Sequence, residues 1–198
     1  MMQNDINTSG HTQWFFFRVM NTRAKHTVKF NILNYTKPDS LFNYGMKVTV
    51  YSEKKANESG VGWHKDGHDI RYFQNGIKKD LAYFSKSFYT ATFSYTFEHD
   101  DDTVFFAYAF PYTYTDLQSD IESIEVDEER SHFLTKRTLC TTLGGNSCDI
   151  LTITEKGAND KNYKKRKAIV ISGRVHPGET VGSFMMRGVL FFLTDPVN

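Results

Sequence analysis

The stretch AIVISGRVHPGETVGSFMMRGVLFFL, Ala168 to Leu193, decides the fold of this chain. Ala168 to Ser172 is a short β-branched run between Lys167 and Gly173, the pattern of a strand buried on both faces of a parallel sheet. From about Glu179 the period changes. Phe184, Met185, Gly188, Val189, Phe192 and Leu193 recur at three- and four-residue spacing and predict one broad apolar helical face. The stretch therefore reads as strand, turn and helix, with Pro177 and Gly178 in the turn. Such a turn, at the carboxyl end of a strand, is where open α/β sheets place ligand sites.

The turn carries His176 and Glu179. An imidazole and a carboxylate at this spacing can converge on one ion, and they are two of the three protein ligands expected of a catalytic zinc with an open water position. On chemistry alone a solvated loop explains them equally well. Arg174 lies two residues before His176 on an extended segment, so it points to the same side. A substrate contact and a supporting or surface role are both open to it.

RVHPGET followed by a glycine-containing apolar helix resembles the zinc-binding signature of the cytosolic carboxypeptidases, metallocarboxypeptidases that trim glutamates from tubulin and other proteins. TLCTTLGGNSCDILTIT (Thr138 to Thr154), FAYAFPYTYTDLQ (Phe106 to Gln118), GWHKDGHDI (Gly62 to Ile70) and QWFFFRVMN (Gln13 to Asn21) resemble that family's amino-terminal domain and its junction with the catalytic domain. The resemblance covers nearly the whole chain. It implies zinc as cofactor, held by His176, Glu179 and a second His far downstream. It places the general-base Glu and the groups that hold the substrate's terminal carboxylate downstream as well, so no catalytic residue is expected within this chain.

The same resemblance implies polyglutamylated or glutamate-ended protein tails as partners, tubulin among them, and a cytoplasmic site of action associated with microtubules or cilia. Asn198 comes only 19 residues after Glu179, so the chain is expected to hold the start of a catalytic domain and to be inactive as given. Val181 stands where the family has Asn or Pro, which bears on substrate preference and not on metal binding. Phe184 stands where Trp or Phe is usual.

Composition fits a β-rich globular chain. Among 198 residues the aromatic share is 15%, with 17 Phe and 11 Tyr against 4 Pro. The net charge of +1 offers no field to steer the chain to nucleic acid or a membrane, and neither is expected as a partner. No apolar run has spanning length and the opening MMQNDINTSG is polar, so neither a membrane span nor a secretory signal is read. Cys140 and Cys148 read as reduced, buried thiols, because a lone pair eight residues apart matches no zinc or thioredoxin spacing.

Residues 1–12 are expected to be disordered, 13–133 to form an amino-terminal β-sandwich domain, and 134–198 to begin an α/β zinc carboxypeptidase domain that is incomplete. Strands are predicted at Gln13 to Met20, around Val28 to Ile32 and Met46 to Val50, and from Asp69 to Gln74 with a tight Asn75-Gly76 turn. Glu53 to Gly62 reads as a surface connection. Phe93, Tyr95 and Phe97 alternate with polar residues, as do Val104, Phe106, Tyr108 and Phe110 after Asp100-Asp101-Asp102, which predicts an antiparallel hairpin. About six such strands suggest a sandwich. Next comes a helix capped by Thr115, and then a Lys136 to Thr154 hairpin turning at Gly144-Gly145-Asn146.

His64, Asp66, His68 and Asp69 make a second candidate ion site, although a polar turn needs such residues anyway. Lys161, Lys164, Lys165, Arg166 and Lys167 form a basic run suited to acidic tails or, more plainly, to a solvated loop. A non-catalytic module that binds a partner through the sandwich is the alternative function from a different class.

Overall fold

The computed structural model describes residues 12–81, 84–155 and 165–197. The chain divides into two compact units, one up to Pro111 and one from Tyr112. This division falls earlier than the 133/134 boundary expected from sequence, because Ile124, on the helix after Tyr112, packs into one core with Leu134 and Leu190. Of the start expected to be disordered, Thr12 is described, and it is buried with its hydroxyl donating to the Asn34 carbonyl.

The first unit is a sandwich of two antiparallel sheets. One contains β1 (Phe16–Val19), β3 (Val48–Ser52), β4 (His64–Asp66) and β7 (Val104–Ala107), in the order β1-β7-β3-β4. The other contains β2 (Thr27–Tyr35), β5 (His68–Leu81) and β6 (Phe84–Thr96), in the order β2-β6-β5. Phe30 and Phe93 from one sheet meet Phe106 from the other, with ring centroids 5.0 and 5.7 Å away. Phe93 and Phe106 are fully buried, and each contributes roughly 1.5–3 kcal/mol of hydrophobic stabilisation.

Three expectations for this unit are corrected. Residues 93–97 and 104–110 do not form a hairpin, since β6 and β7 belong to different sheets and Asp100 to Asp102 carry the chain between them. Alternation sets which face of a strand is apolar, but not which strand it pairs with. Asn75-Gly76 is not a turn either: β5 runs straight through it, with a register shift between Gln74 and Lys78. Asn75 stabilises that irregularity by donating to Leu33 O and Thr90 Oγ1 while accepting from Ile77 N.

The third correction is α1 (Glu53–Ser59), a helix where a surface connection was expected. Ser52 caps its start by accepting from Lys55 N, and Gly60 closes it in the left-handed region at φ 71°.

In the second unit α2 (Tyr114–Val126) begins at a capping box in which Thr113 and Asp116 satisfy each other's backbone, so the cap is Thr113 and not Thr115. Strands β8 (Leu134–Thr141) and β9 (Ser147–Ile153) form the expected hairpin, with Gly145 at φ 83° in its turn. Helix α3 (Thr180–Leu193) comes directly after the motif. Ile124, Leu134 and Leu190 form the buried centre of this unit, with Leu151, Ile153, Met186 and Phe191 around it. Arg187 clamps α3 to α2 through both oxygens of Asp120, each at 3.0 Å, and Tyr112 donates to the same carboxylate at 2.6 Å.

Three further sequence expectations fail in this unit. Ala168 to Ser172 is not a strand: β8 and β9 pair only with each other, and Ile169 and Val170 are 87% and 93% exposed. A β-branched run becomes a strand only where a neighbour supplies the ladder, and no described strand lies beside this one. In α3 the buried side carries Thr180, Met186, Leu190 and Thr194, whereas Phe184, Met185, Phe192 and Leu193 are exposed. The helix is apolar around most of its circumference, so periodicity alone does not select its inner face. Cys140 and Cys148 are exposed, not buried. Of the basic run, Lys161 and Lys164 lie outside the described residues.

Candidate metal centre

The corner between the 168–175 segment and α3 is built by two close backbone approaches. A Cβ on Gly173 would lie 3.1 Å from Met186 Cβ and 3.3 Å from Gly182 O, and one on Gly182 would lie 3.2 Å from Arg174 N. A side chain at either position would crowd these contacts, so glycine lets the segment lie close against the start of the helix. Arg174 itself sits in the left-handed region at φ 58°, uncommon for a residue with a side chain.

Its guanidinium holds that conformation. Nε donates to Pro177 O at 2.9 Å, and one terminal nitrogen donates to Ser183 Oγ at 3.0 Å and to Tyr112 O at 3.2 Å. Partial burial lowers the guanidinium's pKa from its ordinary value. Arg174 thus ties the turn to the start of α3 and of α2. Ser183 was not singled out from sequence, and only the glycine pair flanking the motif hinted at so close a crossing.

The turn brings His176 and Glu179 together. Glu179 N donates to His176 O at 3.0 Å, and His176 Nδ1 lies 3.0 Å from Glu179 Oε2. Glu179 occupies the N-cap position of α3, yet its side chain makes no capping hydrogen bond. Its carboxylate is therefore free to face the imidazole, at the end of a helix whose dipole favours negative charge. Both side chains are open to solvent, at 73% and 62% exposure.

This geometry fits two ligands of one zinc. With zinc–donor bonds of about 2.0–2.2 Å and a tetrahedral angle, an imidazole nitrogen and a carboxylate oxygen stand roughly 3.3–3.5 Å apart. The observed pair reaches that by opening a few tenths of an ångström. It borders a cleft of about 310 Å³ whose apolar side is formed by Ile171, Met185, Met186 and Val189 and whose lining contains no carboxylate besides Glu179.

Among the described residues no three His, Cys, Asp or Glu side chains gather as a metal cluster. His64 and Asp66, like His68 and Asp69, approach only to 4.0 Å as separate pairs, and Asp66 accepts from Gly67 N. No described helix is long and apolar enough to cross a membrane.

No family model matches the chain. Among curated proteins it is 46% identical over 195 residues to cytosolic carboxypeptidase 2 of Xenopus tropicalis, covering 98% of this chain and 20% of that protein. It is 42% identical over 189 residues to cytosolic carboxypeptidase 3 of Mus musculus, covering 96% of this chain and 18% of the relative. The chain thus spans about a fifth of the length of the curated relatives it matches.

Among solved structures, a metallo-carboxypeptidase from Burkholderia cenocepacia matches with a TM-score of 0.64 at 18% identity, over 98% of this chain and 42% of that one. A putative carboxypeptidase A from Shewanella denitrificans matches with a TM-score of 0.60 at 21% identity, over 92% of this chain and 40% of the other. These likenesses establish the fold, with its α/β part incomplete in this chain. Sequence identity sustained over nearly every residue establishes more: the chain belongs to the cytosolic carboxypeptidase family.

Proposed function

We propose that this chain is a portion of a zinc metallocarboxypeptidase that removes carboxyl-terminal or side-chain-linked glutamates from proteins, tubulin among them, in the cytoplasm at microtubules or cilia. The observation that carries the reading is the 3.0 Å approach of His176 Nδ1 to Glu179 Oε2 on a braced corner beside an apolar cleft.

In that enzyme His176 and Glu179 supply two of the metal's donors, and Arg174 keeps their turn in place. Ile171, Met185, Met186 and Val189 give the cleft an apolar wall. Zinc, when bound, polarises a scissile carbonyl and lowers the pKa of its water. The third donor and a general base are not supplied by the described residues around the cleft, and residues 1–198 alone are expected not to hydrolyse peptides.

Two measurements test this. Equilibrium dialysis of the chain against zinc is expected to show weak binding that His176→Ala removes. Incubation with a polyglutamylated peptide is expected to release no glutamate, and release above that of a His176→Ala control overturns the proposed inactivity. The alternative, a partner-binding sandwich, is favoured by one observation: the core of the first unit is closed within its own residues. A soluble, monomeric chain that unfolds cooperatively and binds no zinc supports that alternative.

A further inference from the structure

We propose that Cys140 and Cys148 form a dithiol that closes reversibly into a cross-strand disulfide on meeting a small-molecule disulfide oxidant such as oxidised glutathione. The two residues are direct Cα partners on β8 and β9, and both thiols are free and exposed. Directly opposed residues of an antiparallel pair have Cα atoms about 4.5 or 5.5 Å apart, and both separations fall inside the roughly 4.4–6.8 Å that a disulfide spans.

The pairing depends on an irregularity. Thr138 is opposite Asp149, but Cys140 is opposite Cys148, so the ladder shifts by one residue at Leu139. Without that shift Cys140 would face Ser147, and Cys148 would face Leu139. The bulge therefore brings together two thiols that a regular hairpin would keep out of register. Their proximity is also felt electrostatically: desolvation, and then Cys140 through charge and hydrogen bonding, raise the Cys148 thiol above its ordinary pKa.

The chemistry balances in two exchanges. One cysteine thiolate attacks oxidised glutathione, forming a mixed disulfide and releasing one glutathione thiolate, which takes up a proton. The second cysteine thiolate attacks the protein sulfur of that mixed disulfide and expels the second glutathione. Two protein thiols lose two electrons and two protons, and one oxidised glutathione becomes two reduced ones. Because thiolate is the reacting form, closure speeds up with pH, by up to about tenfold per unit below the thiol pKa. The product locks the shifted register of the hairpin and is reopened by dithiols.

The test uses the reduced 198-residue chain with oxidised glutathione at pH 7 and pH 9, quenched by alkylation and read by mass spectrometry. Both cysteines lie on the single tryptic peptide between Arg137 and Lys156. The expected product is that peptide lighter by two hydrogens, unalkylated, formed faster at pH 9 and reversed by dithiothreitol. Cys140→Ser should instead hold a lasting glutathione adduct on Cys148. Lasting adducts on both cysteines of the unsubstituted chain, disulfide-linked dimers, or unchanged thiols at both pH values would each overturn the proposal.

Discussion

The Ser52 hydroxyl donates to Asp102 Oδ2 at 2.5 Å, joining two buried side chains fifty residues apart in the first unit. The same carboxylate accepts from Lys54 N at 3.0 Å and Thr103 N at 2.8 Å, and Asp102 N donates to Thr22 Oγ1 at 2.9 Å. One aspartate thus holds the start of α1, the crossing between the sheets, and the loop after β1. Asp102→Ala leaves the Ser52 hydroxyl and two backbone donors without their acceptor. It is expected to destabilise the chain by about 2–4 kcal/mol, measured as a lower denaturant midpoint, with Asp102→Asn losing less.

Gly173→Ala should act on the corner through packing. The new Cβ meets the helix-fixed Cβ of Met186 at 3.1 Å, which cannot rotate away. An expected cost of about 1–3 kcal/mol falls on the attachment of the segment to α3. Faster amide exchange in the first turn of α3, with the strands of the first unit unchanged, is the predicted signature. Unchanged protection of α3 would show that the segment does not brace it.

Zinc affinity should respond to each donor separately. His176→Ala and Glu179→Gln are each expected to weaken zinc binding by about tenfold or more, measured by competition with a chromogenic chelator. Arg174→Lys keeps the charge but loses the forked geometry, so it should weaken binding less than either, by loosening the turn.

The β8–β9 hairpin should lose stability in acid. Hydrogen bonds, first from Ser147 and then from Thr138, hold Asp149 below the usual carboxylate range. A depressed carboxylate contributes fully above its unfolded value of about 3.9 and loses that contribution as pH falls through the folded value. Asp149 is near the surface, so the effect is screened to below about 1 kcal/mol. Amide exchange in β8 compared at pH 5 and pH 2.5 should show it, and Asp149→Asn should remove the difference.

The turn that brings His176 and Glu179 together was legible in sequence because its information is local: His176, Pro177, Gly178 and Glu179 are contiguous. The sandwich was legible as a composition of alternating strands, but their pairing was not. Phe93 and Phe106 face one core from opposite sheets, and alternation looks the same for a hairpin and for a crossing between sheets. Helix α1 was missed although Ser52 and Gly60 carried both cap signals, since its seven residues show no buried face. Ala168 to Ser172 was misread for the opposite reason: its residues suit a buried strand, and the environment that would make it one is not among the described elements.

The strand order β1-β7-β3-β4 also dictates when the first unit can be completed during synthesis. Strand β7, Val104–Ala107, lies between β1 and β3, both of which precede it by more than fifty residues. Until those four residues leave the ribosome, β1 has no neighbour on which to form its ladder, and the rings of Phe17 and Phe30 lack Phe106. The first sheet is closed by its last strand. Nascent chains arrested before Val104 should be cleaved readily by protease, and those arrested some forty residues later should resist, so that this unit assembles in one late step and not strand by strand.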